Sequence, residues 1–194
     1  MLLIENLYLG LILVFFILAF AIRNFETSLS TRKSIKGNSL KLTLSVILST
    51  LIYLLILLRL TVLDSKWLFE LDLSVYSIVK TIGIVLVTAG FILGIMALIA
   101  MRNSWRVGIK YDQKTDLVTH GIYRMSRNPY FLSYNILIFG YILVFPSILL
   151  IVLYVALIIT FHTMILEEEK YLESVHGETY LAYKGKVSRY LTLK

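Results

Sequence analysis

Long apolar stretches, almost free of charge, alternate with short polar segments along the 194-residue chain. Four of these stretches cover residues 2–22, 42–58, 81–101 and 128–166. The first contains one charged side chain, Glu5, and the other three contain none. A helix of roughly 20 mostly apolar residues crosses a bilayer core about 30 Å thick. The pattern therefore predicts membrane-spanning helices rather than a soluble domain.

The fourth stretch is too long for one span. As a single helix, residues 128–166 would extend about 58 Å, nearly twice the thickness of the bilayer core. Pro146 lies near the middle of this stretch, and a proline there removes a backbone donor and clashes with the preceding helical turn. We therefore predict an all-α integral membrane protein with five transmembrane helices, of which the last two form a tight hairpin.

Lysine and arginine are unevenly distributed among the segments that flank the predicted spans. Only Arg59, Lys66 and Lys80 lie on one side of the membrane. The other sixteen lie in three segments on the opposite side: Arg23, Arg32, Lys33, Lys36, Lys41, Arg102, Arg106, Lys110, Lys114, Arg124, Arg127, Lys170, Lys184, Lys186, Arg189 and Lys194. Because short cytoplasmic loops carry the excess of these residues, we expect the amino terminus outside and the carboxyl terminus in the cytoplasm.

The composition narrows the chemistry that the chain can perform. Hydrophobic residues make up 58% of the sequence, and charged residues only 16%. Cysteine is absent, which excludes disulfides and thiolate metal sites. With only three histidines, none in a His-x-x-His spacing, we expect no metal. The net charge of +7 follows from the cytoplasmic flanks, so we expect a lipid bilayer and not nucleic acid as the partner.

The first span has features of both a signal peptide and an uncleaved membrane helix. Ala19 and Ala21, before Arg23, form a small-x-small pattern like that of a signal-peptide cleavage site. The amino end, however, carries Glu5 where a signal peptide would be positively charged, and the apolar run is long. We therefore expect an uncleaved helix.

Small residues recur in the third span. Gly83, Gly90 and Gly94 follow one another at spacings of seven and four, which lets two helices approach closely. We expect these glycines to pack within one chain, and the protein to be a monomer rather than a dimer.

Two polar segments flank the last apolar stretch. HGIYRMSRNPY, residues 120–130, precedes it, and LEEEKYLESVHGETYLAYKGK, residues 166–186, follows it. Because a hairpin brings its two ends together, we expect these segments to be neighbours at the inner membrane face. A cytoplasmic loop and a C-terminal helix would then form the active site.

The second segment starts with three consecutive carboxylates. Successive helical residues point about 100° apart, so at most one or two of the three face the loop. A solvated charge run is the stronger interpretation for Glu169 and Glu173. It is weaker for Glu167 and Glu168, which lie nearest to hydrocarbon, where an unpaired carboxylate is expensive.

Several other polar residues have two open interpretations. His162 is an intramembrane ionisable group, and so either a functional residue or a neutral histidine bonded to a neighbouring helix. Arg124 and Arg127 are either ordinary inner-face anchors or, beside Asn128, part of a binding site. Pro129 suits the first turn of the following helix.

The polar segments occur in the order found in a known family. LVTHGIY, RNPYF, the charge-free stretch, EEE and HGETYLAYK follow one another over roughly the last 85 residues. This arrangement resembles the isoprenylcysteine carboxyl methyltransferase family and its prokaryotic relatives. In that family Gly-x-Tyr, Arg-His-Pro-x-Tyr, a hydrophobic hairpin, Glu-Glu and Gly-Glu-x-Tyr-x-x-Tyr follow in the same order. The first three spans match only in hydrophobicity.

The resemblance implies S-adenosylmethionine as the cofactor, with S-adenosylhomocysteine as the product, bound without a Rossmann domain. It implies one domain, 1–194, in which 1–101 form three spans and 102–194 form the cofactor-binding and catalytic part. By position, Arg127, Asn128 and His162 are candidates for positioning the acceptor. The candidate cofactor-binding residues are Lys110, Gln113, Leu117, Val118, His120, Gly121, Tyr123, Asn128, Pro129, Tyr130, Phe131, Glu167 and Glu168.

The expected reaction is methyl transfer to a lipophilic acceptor at the cytoplasmic face, with the carboxylate of a prenylcysteine-like or other lipid-linked molecule as the first candidate. A carboxylate with a pKa near 4 is ionised at about pH 7 and needs no general base. Positioning of the two reactants alone contributes about 7 to 11 kcal/mol.

Two positions depart from the family pattern and keep other acceptors open. Asn128 replaces the family's histidine, and Met164 stands where the animal and fungal enzymes carry an arginine that binds the substrate carboxylate. The alternatives are a phospholipid amino-group methyltransferase, an NADPH-dependent reductase of the sterol type, for which the chain is short, and a non-enzymatic membrane scaffold.

Overall fold

The structure is a computed structural model that describes residues 2–32, 37–61, 71, 77–109 and 116–192. These residues form α-helices and short 3₁₀ turns and no strand, which confirms the predicted all-α class. The helices are α1 (Leu2–Thr31), α2 (Leu40–Thr61), α3 (Ser77–Met101), α4 (Pro129–Val144), α5 (Ile148–His176) and α6 (Glu178–Lys186).

Four helices among the described residues are long and apolar enough to cross a membrane: α1, α2, α3 and α5. The chain is thus a multi-pass integral membrane protein. Helix α4 is apolar but has only 16 residues, about 24 Å at 1.5 Å per residue. The predicted count of five spans, with a hairpin as the last two, therefore stays a prediction.

The break in the last apolar stretch falls at the predicted proline. Phe145–Ser147 separate α4 from α5, and the Ser147 hydroxyl accepts a hydrogen bond from the amide of Leu150 at the start of α5. The two helices touch each other through individual side chains. The Tyr154 hydroxyl donates to the carbonyl of Asn135 at 3.1 Å.

Two helices extend nine or more residues beyond the apolar stretches that predicted them. Helix α1 continues nine residues beyond Ile22 to Thr31, and α5 continues ten residues beyond Leu166 to His176. Loss of hydrophobicity ends a span but not a helix, because a helix satisfies its backbone hydrogen bonds internally in water as well as in lipid. The extension of α5 carries the three carboxylates and leads through Gly177 into α6.

The glycines of α3 lie against α4. A Cβ added at Gly90 would lie 2.6 Å from the amide nitrogen of Leu137, and one added at Gly140 would lie 2.7 Å from the carbonyl oxygen of Gly83. Both distances are too short for a side chain, so only glycine permits this approach of the two backbones. The contact confirms that these glycines pack within the chain.

Contacts between distant segments gather at one end of the bundle. The Trp105 indole donates to the Asn24 side chain of α1 at 2.7 Å, and the amide of Gly37 donates to the carbonyl of Val107 at 2.8 Å. Lys41, at the start of α2, forms an ion pair with Glu167 of α5. The end of α1, the start of α2, the residues after α3 and the end of α5 therefore meet there.

Candidate functional site

A cavity of about 420 Å³ lies at this end of the bundle. Small-molecule sites typically enclose about 300 to 1,000 Å³. Its walls come from α1, α2, α4, α5 and α6, from the end of α3 and from the segments 37–39, 104–109 and 116–118. The cavity is thus assembled from nearly the whole length of the chain.

The part of the cavity within the helices is apolar and aromatic. Phe161 of α5 packs edge-on against two rings of α4, with ring centroids 4.9 Å from Phe131 and 5.2 Å from Tyr134. Tyr53 of α2 lies 5.8 Å from Tyr134, between ring centroids. Met164 also lines the cavity. This wall suits a hydrocarbon chain or the flat face of a ring.

The part of the cavity where the C-terminal part of α5 meets the adjoining loops carries charge. Its ionisable lining residues are Arg106, Asp116, Arg127, Glu167, Glu168 and Glu169. Charged groups at one end and apolar rings at the other make the cavity amphipathic along its length.

Glu169 is the centre of a buried charge network. Its carboxylate lies 2.8 Å from Nη2 of Arg127 and 2.9 Å from Nη2 of Arg189. The Asn128 side-chain amide donates to Glu169 at 3.5 Å and to the carbonyl of Arg189 at 3.2 Å. Hydrogen bonding to Glu169 raises the pKa of Arg189, so that guanidinium stays charged. We call Glu169, Arg127, Arg189 and Asn128 the Glu169 network.

The network holds the C-terminal residues 187–192, which we call the strap, against the loop before α4. Nη1 of Arg127 donates to the carbonyl of Val187 at 2.7 Å. The Arg127 amide donates to the carbonyl of Ser188 at 3.0 Å, and the amide of Thr192 donates to the carbonyl of Met125 at 2.8 Å. The strap thereby fixes Arg127, which lines the cavity.

Glu168, one residue earlier, has the opposite environment. It lines the cavity and is half-buried. Within the described part of the chain, its carboxylate has no hydrogen-bond or ion-pair partner. A carboxylate that lines a cavity and pairs with no cation of the protein is available to bind a ligand.

The predicted cofactor residues divide into three groups. Eight line the cavity: Leu117, Val118, Tyr123, Asn128, Tyr130, Phe131, Glu167 and Glu168. His120 and Gly121 are exposed and Pro129 occupies the first turn of α4, and none of these three is among the lining residues. Lys110 and Gln113 lie outside the described residues.

The predicted acceptor-positioning residues are also separated. Arg127 and Asn128 line the cavity, but their polar groups are already engaged in the Glu169 network. His162 is not among the lining residues. Its Nδ1 lies 2.7 Å from the Tyr190 hydroxyl of the strap. The structure therefore does not bring His162 together with the other two.

The interpretation of Glu169 as a solvated carboxylate was wrong. Its side chain is only 6% exposed, because the strap folds back over that face of α5 and brings Arg189 to it. Glu173, for which the same interpretation was made, has a side chain 42% exposed and pairs with Lys184 at 2.9 Å.

Sequence reasoning missed the contribution of α2. Ser45, Ser49 and Tyr53 line the cavity, and their spacing of four residues places them on one helix face. That repeat of polar side chains within an apolar span was visible in the sequence. It could have shown that the second span contributes to the site as well as crossing the membrane.

Arg106 was also missed, because it was counted only among the cytoplasmic charges. It lines the cavity, and Nη1 donates to the carbonyls of Asn103 at 2.9 Å and Trp105 at 2.6 Å. Its Nε is buried without a hydrogen-bond partner among the described residues. Partial burial lowers the pKa of Arg106 from its usual value.

The lining fits a nucleoside cofactor with a cationic sulfonium and ammonium. Tyr123, Tyr130 and Phe131 offer aromatic faces to an adenine ring, and Glu168 offers an unpaired carboxylate to ribose hydroxyls or to the ammonium. Tyr123 is held in place by the Tyr183 hydroxyl, which donates to its carbonyl at 2.6 Å. Burial raises the pKa of the Tyr123 phenol well above its usual value, so it stays neutral.

Comparison with known proteins points to the same class of chemistry. A family model described as PEMT, phospholipid methyltransferase, matches residues 78–179. No curated protein matches the chain. The match supports the predictions of a methyltransferase and of S-adenosylmethionine as the methyl donor. The matched family and the isoprenylcysteine carboxyl methyltransferases belong to one superfamily of membrane methyltransferases, and the match does not single out the latter.

Proposed function

The chain belongs to the phospholipid methyltransferase family, and on that premise we propose that it methylates the amino group of a phospholipid headgroup, with S-adenosylmethionine as the donor. The amphipathic shape of the cavity carries this proposal. Its aromatic part lies among α2, α4 and α5, where a lipid chain can lie, and its charged part lies at the helix ends, where a headgroup and a soluble cofactor can meet.

The residues of the chain have distinct roles in this proposal. Glu168 holds the cofactor's ribose or ammonium, and Tyr123, Tyr130 and Phe131 contact its adenosine. When bound, the cofactor supplies an electrophilic methyl group on a sulfonium. The Glu169 network holds Arg127 and Asn128 in the cavity wall, so that the cavity keeps its shape while the acceptor is aligned with the methyl group.

The amine acceptor is preferred to a carboxylate because of the cavity lining. Met164 lines the cavity at the position where the carboxyl methyltransferases carry an arginine, so the cation that would hold a reacting carboxylate is missing there. The carboxylate of a prenylcysteine-like molecule remains a second candidate, favoured by the LVTHGIY, RNPYF and HGETYLAYK segments.

The site is proposed to face the cytoplasm and the protein to act as a monomer. The uneven distribution of lysine and arginine supports the orientation. The packing of the α3 glycines against α4 supports the monomer, since it uses the small-residue face that would otherwise be free for a second chain.

Binding and turnover of detergent-purified protein test the proposal. Isothermal titration with S-adenosylhomocysteine should show saturable binding that Glu168→Ala abolishes. Radiolabelled S-adenosylmethionine should then transfer its methyl group to phosphatidylethanolamine in mixed micelles. Transfer to a prenylcysteine carboxylate alone would establish the second candidate. Preferential binding of NADPH would indicate a reductase, and binding of neither nucleotide would indicate a scaffold.

The pH dependence of turnover separates the two acceptors independently. An alkylammonium with a pKa of about 10.4 must lose its proton before the nitrogen attacks, whereas a carboxylate with a pKa near 4 is already ionised. We expect the rate with phosphatidylethanolamine to rise between pH 6 and about pH 8, because the neutral amine grows about tenfold per pH unit. A flat profile over this range would contradict an amine acceptor.

A further inference from the structure

The ionisable lining of the cavity leaves one cation without a carboxylate partner. Arg127 is paired within the Glu169 network, and Glu167 is paired with Lys41. Arg106 contacts two backbone carbonyls through Nη1 and, among the described residues, has no carboxylate partner. Its Nε is buried and unpaired, and a buried N–H without an acceptor is costly. An anionic group of a ligand would supply the missing acceptor.

The depth of Arg106 in the membrane indicates which ligand supplies that group. The candidate span of α3 extends to Ser104, and Arg106 follows two residues later, so a membrane-spanning α3 would bring Arg106 close to the headgroup layer. Phospholipid phosphates lie in that layer. A guanidinium forms short, charge-assisted and often bidentate hydrogen bonds to phosphate oxygens.

The position of Arg106 in the cavity separates it from the cofactor residues predicted from the sequence. Its neighbours Val107 and Gly108 lie against the start of α2. The carbonyl of Val107 accepts from Gly37 at 2.8 Å, and a Cβ added at Gly108 would lie 3.2 Å from the Leu42 side chain. No cofactor residue predicted from the sequence belongs to α2. Arg106 therefore lies beside the wall left for the acceptor.

We propose that Arg106 binds the phosphate of the acceptor lipid and so selects phospholipids over other amines. This inference rests on the proposed function and adds the group by which the acceptor is recognised. Arg106 is a positioning residue for the headgroup. The phosphate is held at the interface, and the amine, at the end of the headgroup, reaches the methyl group.

The test compares two acceptors and three variants of the full-length protein in detergent. The acceptors are phosphatidylethanolamine and a diacyl amino lipid of the same chain length that lacks phosphate. The variants are Arg106→Gln, Arg106→Lys and, as a matched control, Arg102→Gln. Arg102 lies in the same segment, is exposed and does not line the cavity. S-adenosylhomocysteine affinity and the thermal unfolding midpoint are measured for each.

We expect Arg106→Gln to raise KM for phosphatidylethanolamine by about tenfold or more, the size of a lost charged hydrogen bond. KM for the phosphate-free lipid, S-adenosylhomocysteine affinity and the unfolding midpoint should not change. Arg106→Lys should recover part of the loss, and Arg102→Gln should behave as the unaltered protein does.

Several results would overturn the assignment. An equal increase in KM with both lipids would show that Arg106 does not bind the phosphate. Loss of S-adenosylhomocysteine binding would show that Arg106 binds the cofactor instead. Saturable binding of inorganic phosphate that disappears in Arg106→Gln, with no change in lipid KM, would indicate a free-anion site. Failure of the proposed function would give a different result: the unaltered protein itself would not bind S-adenosylhomocysteine or would not methylate the lipid.

Discussion

Glu168 and Glu169 are adjacent in the sequence and both line the cavity, but the surroundings of their carboxylates are opposite. Glu169 faces the strap, where Arg127, Arg189 and Asn128 satisfy its oxygens. Glu168 faces the cavity and has no such partner among the described residues. The step of about 100° between successive helical residues produces this separation.

The difference shows how to distinguish a structural charge from a functional one in this protein. A buried carboxylate with two guanidiniums contributes to folding, because neither charge can be removed without stranding the other. A carboxylate that a cavity leaves unpaired contributes little to folding and is available for binding. The same distinction separates Arg127 from Arg106, which both line the cavity.

Removing the charge of Glu169 should have the largest effect on stability. Glu169→Gln keeps the size of the side chain but leaves the Arg127 guanidinium, 8% exposed, without its counter-charge. Breaking one side of a buried ion pair costs about 3 to 5 kcal/mol. Chemical unfolding in detergent should show a loss of this size, together with weaker S-adenosylhomocysteine binding because Arg127 and Asn128, which line the cavity, lose their anchor. Unchanged unfolding would refute the structural role of the network.

The same substitution at Glu168 should leave stability unchanged and weaken the binding of S-adenosylhomocysteine. Glu168→Gln removes a charged hydrogen bond to the cofactor, worth about 1.5 to 3 kcal/mol, so the affinity for S-adenosylhomocysteine should fall by about tenfold to a hundredfold. The free energy of unfolding should stay the same or rise, since an unpaired, half-buried charge is removed. A stability loss as large as that of Glu169→Gln would show that Glu168 also contributes to folding, which contradicts the distinction between the two residues.

Removing the charge of Glu167 should have the smallest effect of the three substitutions. Its side chain is 46% exposed and that of its partner Lys41 is 41% exposed, and exposed ion pairs contribute at most about 1 kcal/mol. Glu167→Gln should therefore change the free energy of unfolding by less than this, and high salt should remove the difference. A loss comparable to that of Glu169→Gln would mean that the exposed α2–α5 ion pair contributes as much to folding as the buried network does.

Much of the site could be predicted from short motifs, since those residues lie close together in sequence and on few elements. Tyr123, Tyr130 and Phe131, which the LVTHGIY and RNPYF segments singled out, line the cavity. The residues that were missed come from elements far away in sequence. Ser45 and Ser49 lie on α2, and they reach the cavity only because α2 packs against α5.

His162 illustrates why single residues are harder to place than segments. Its position within an apolar stretch indicated a functional residue or a neutral histidine bonded to a neighbour. In the structure its neighbour is Tyr190 of the strap, 28 residues later in the chain. The partner of an isolated polar residue depends on which face of the helix it occupies and on what folds over that face.

The sequence by itself determined where this chain is helical and where its last apolar stretch breaks. Those features are local, because backbone groups in hydrocarbon must bond within their own helix and Pro146 interrupts that pattern wherever its helix packs. Only the tertiary structure decided which of three consecutive carboxylates pairs with arginine, which pairs with Lys41 and which stays unpaired in the cavity. That choice depends on the rotation of α5 about its axis and on the path of the strap, and both are set by contacts between residues distant in the sequence.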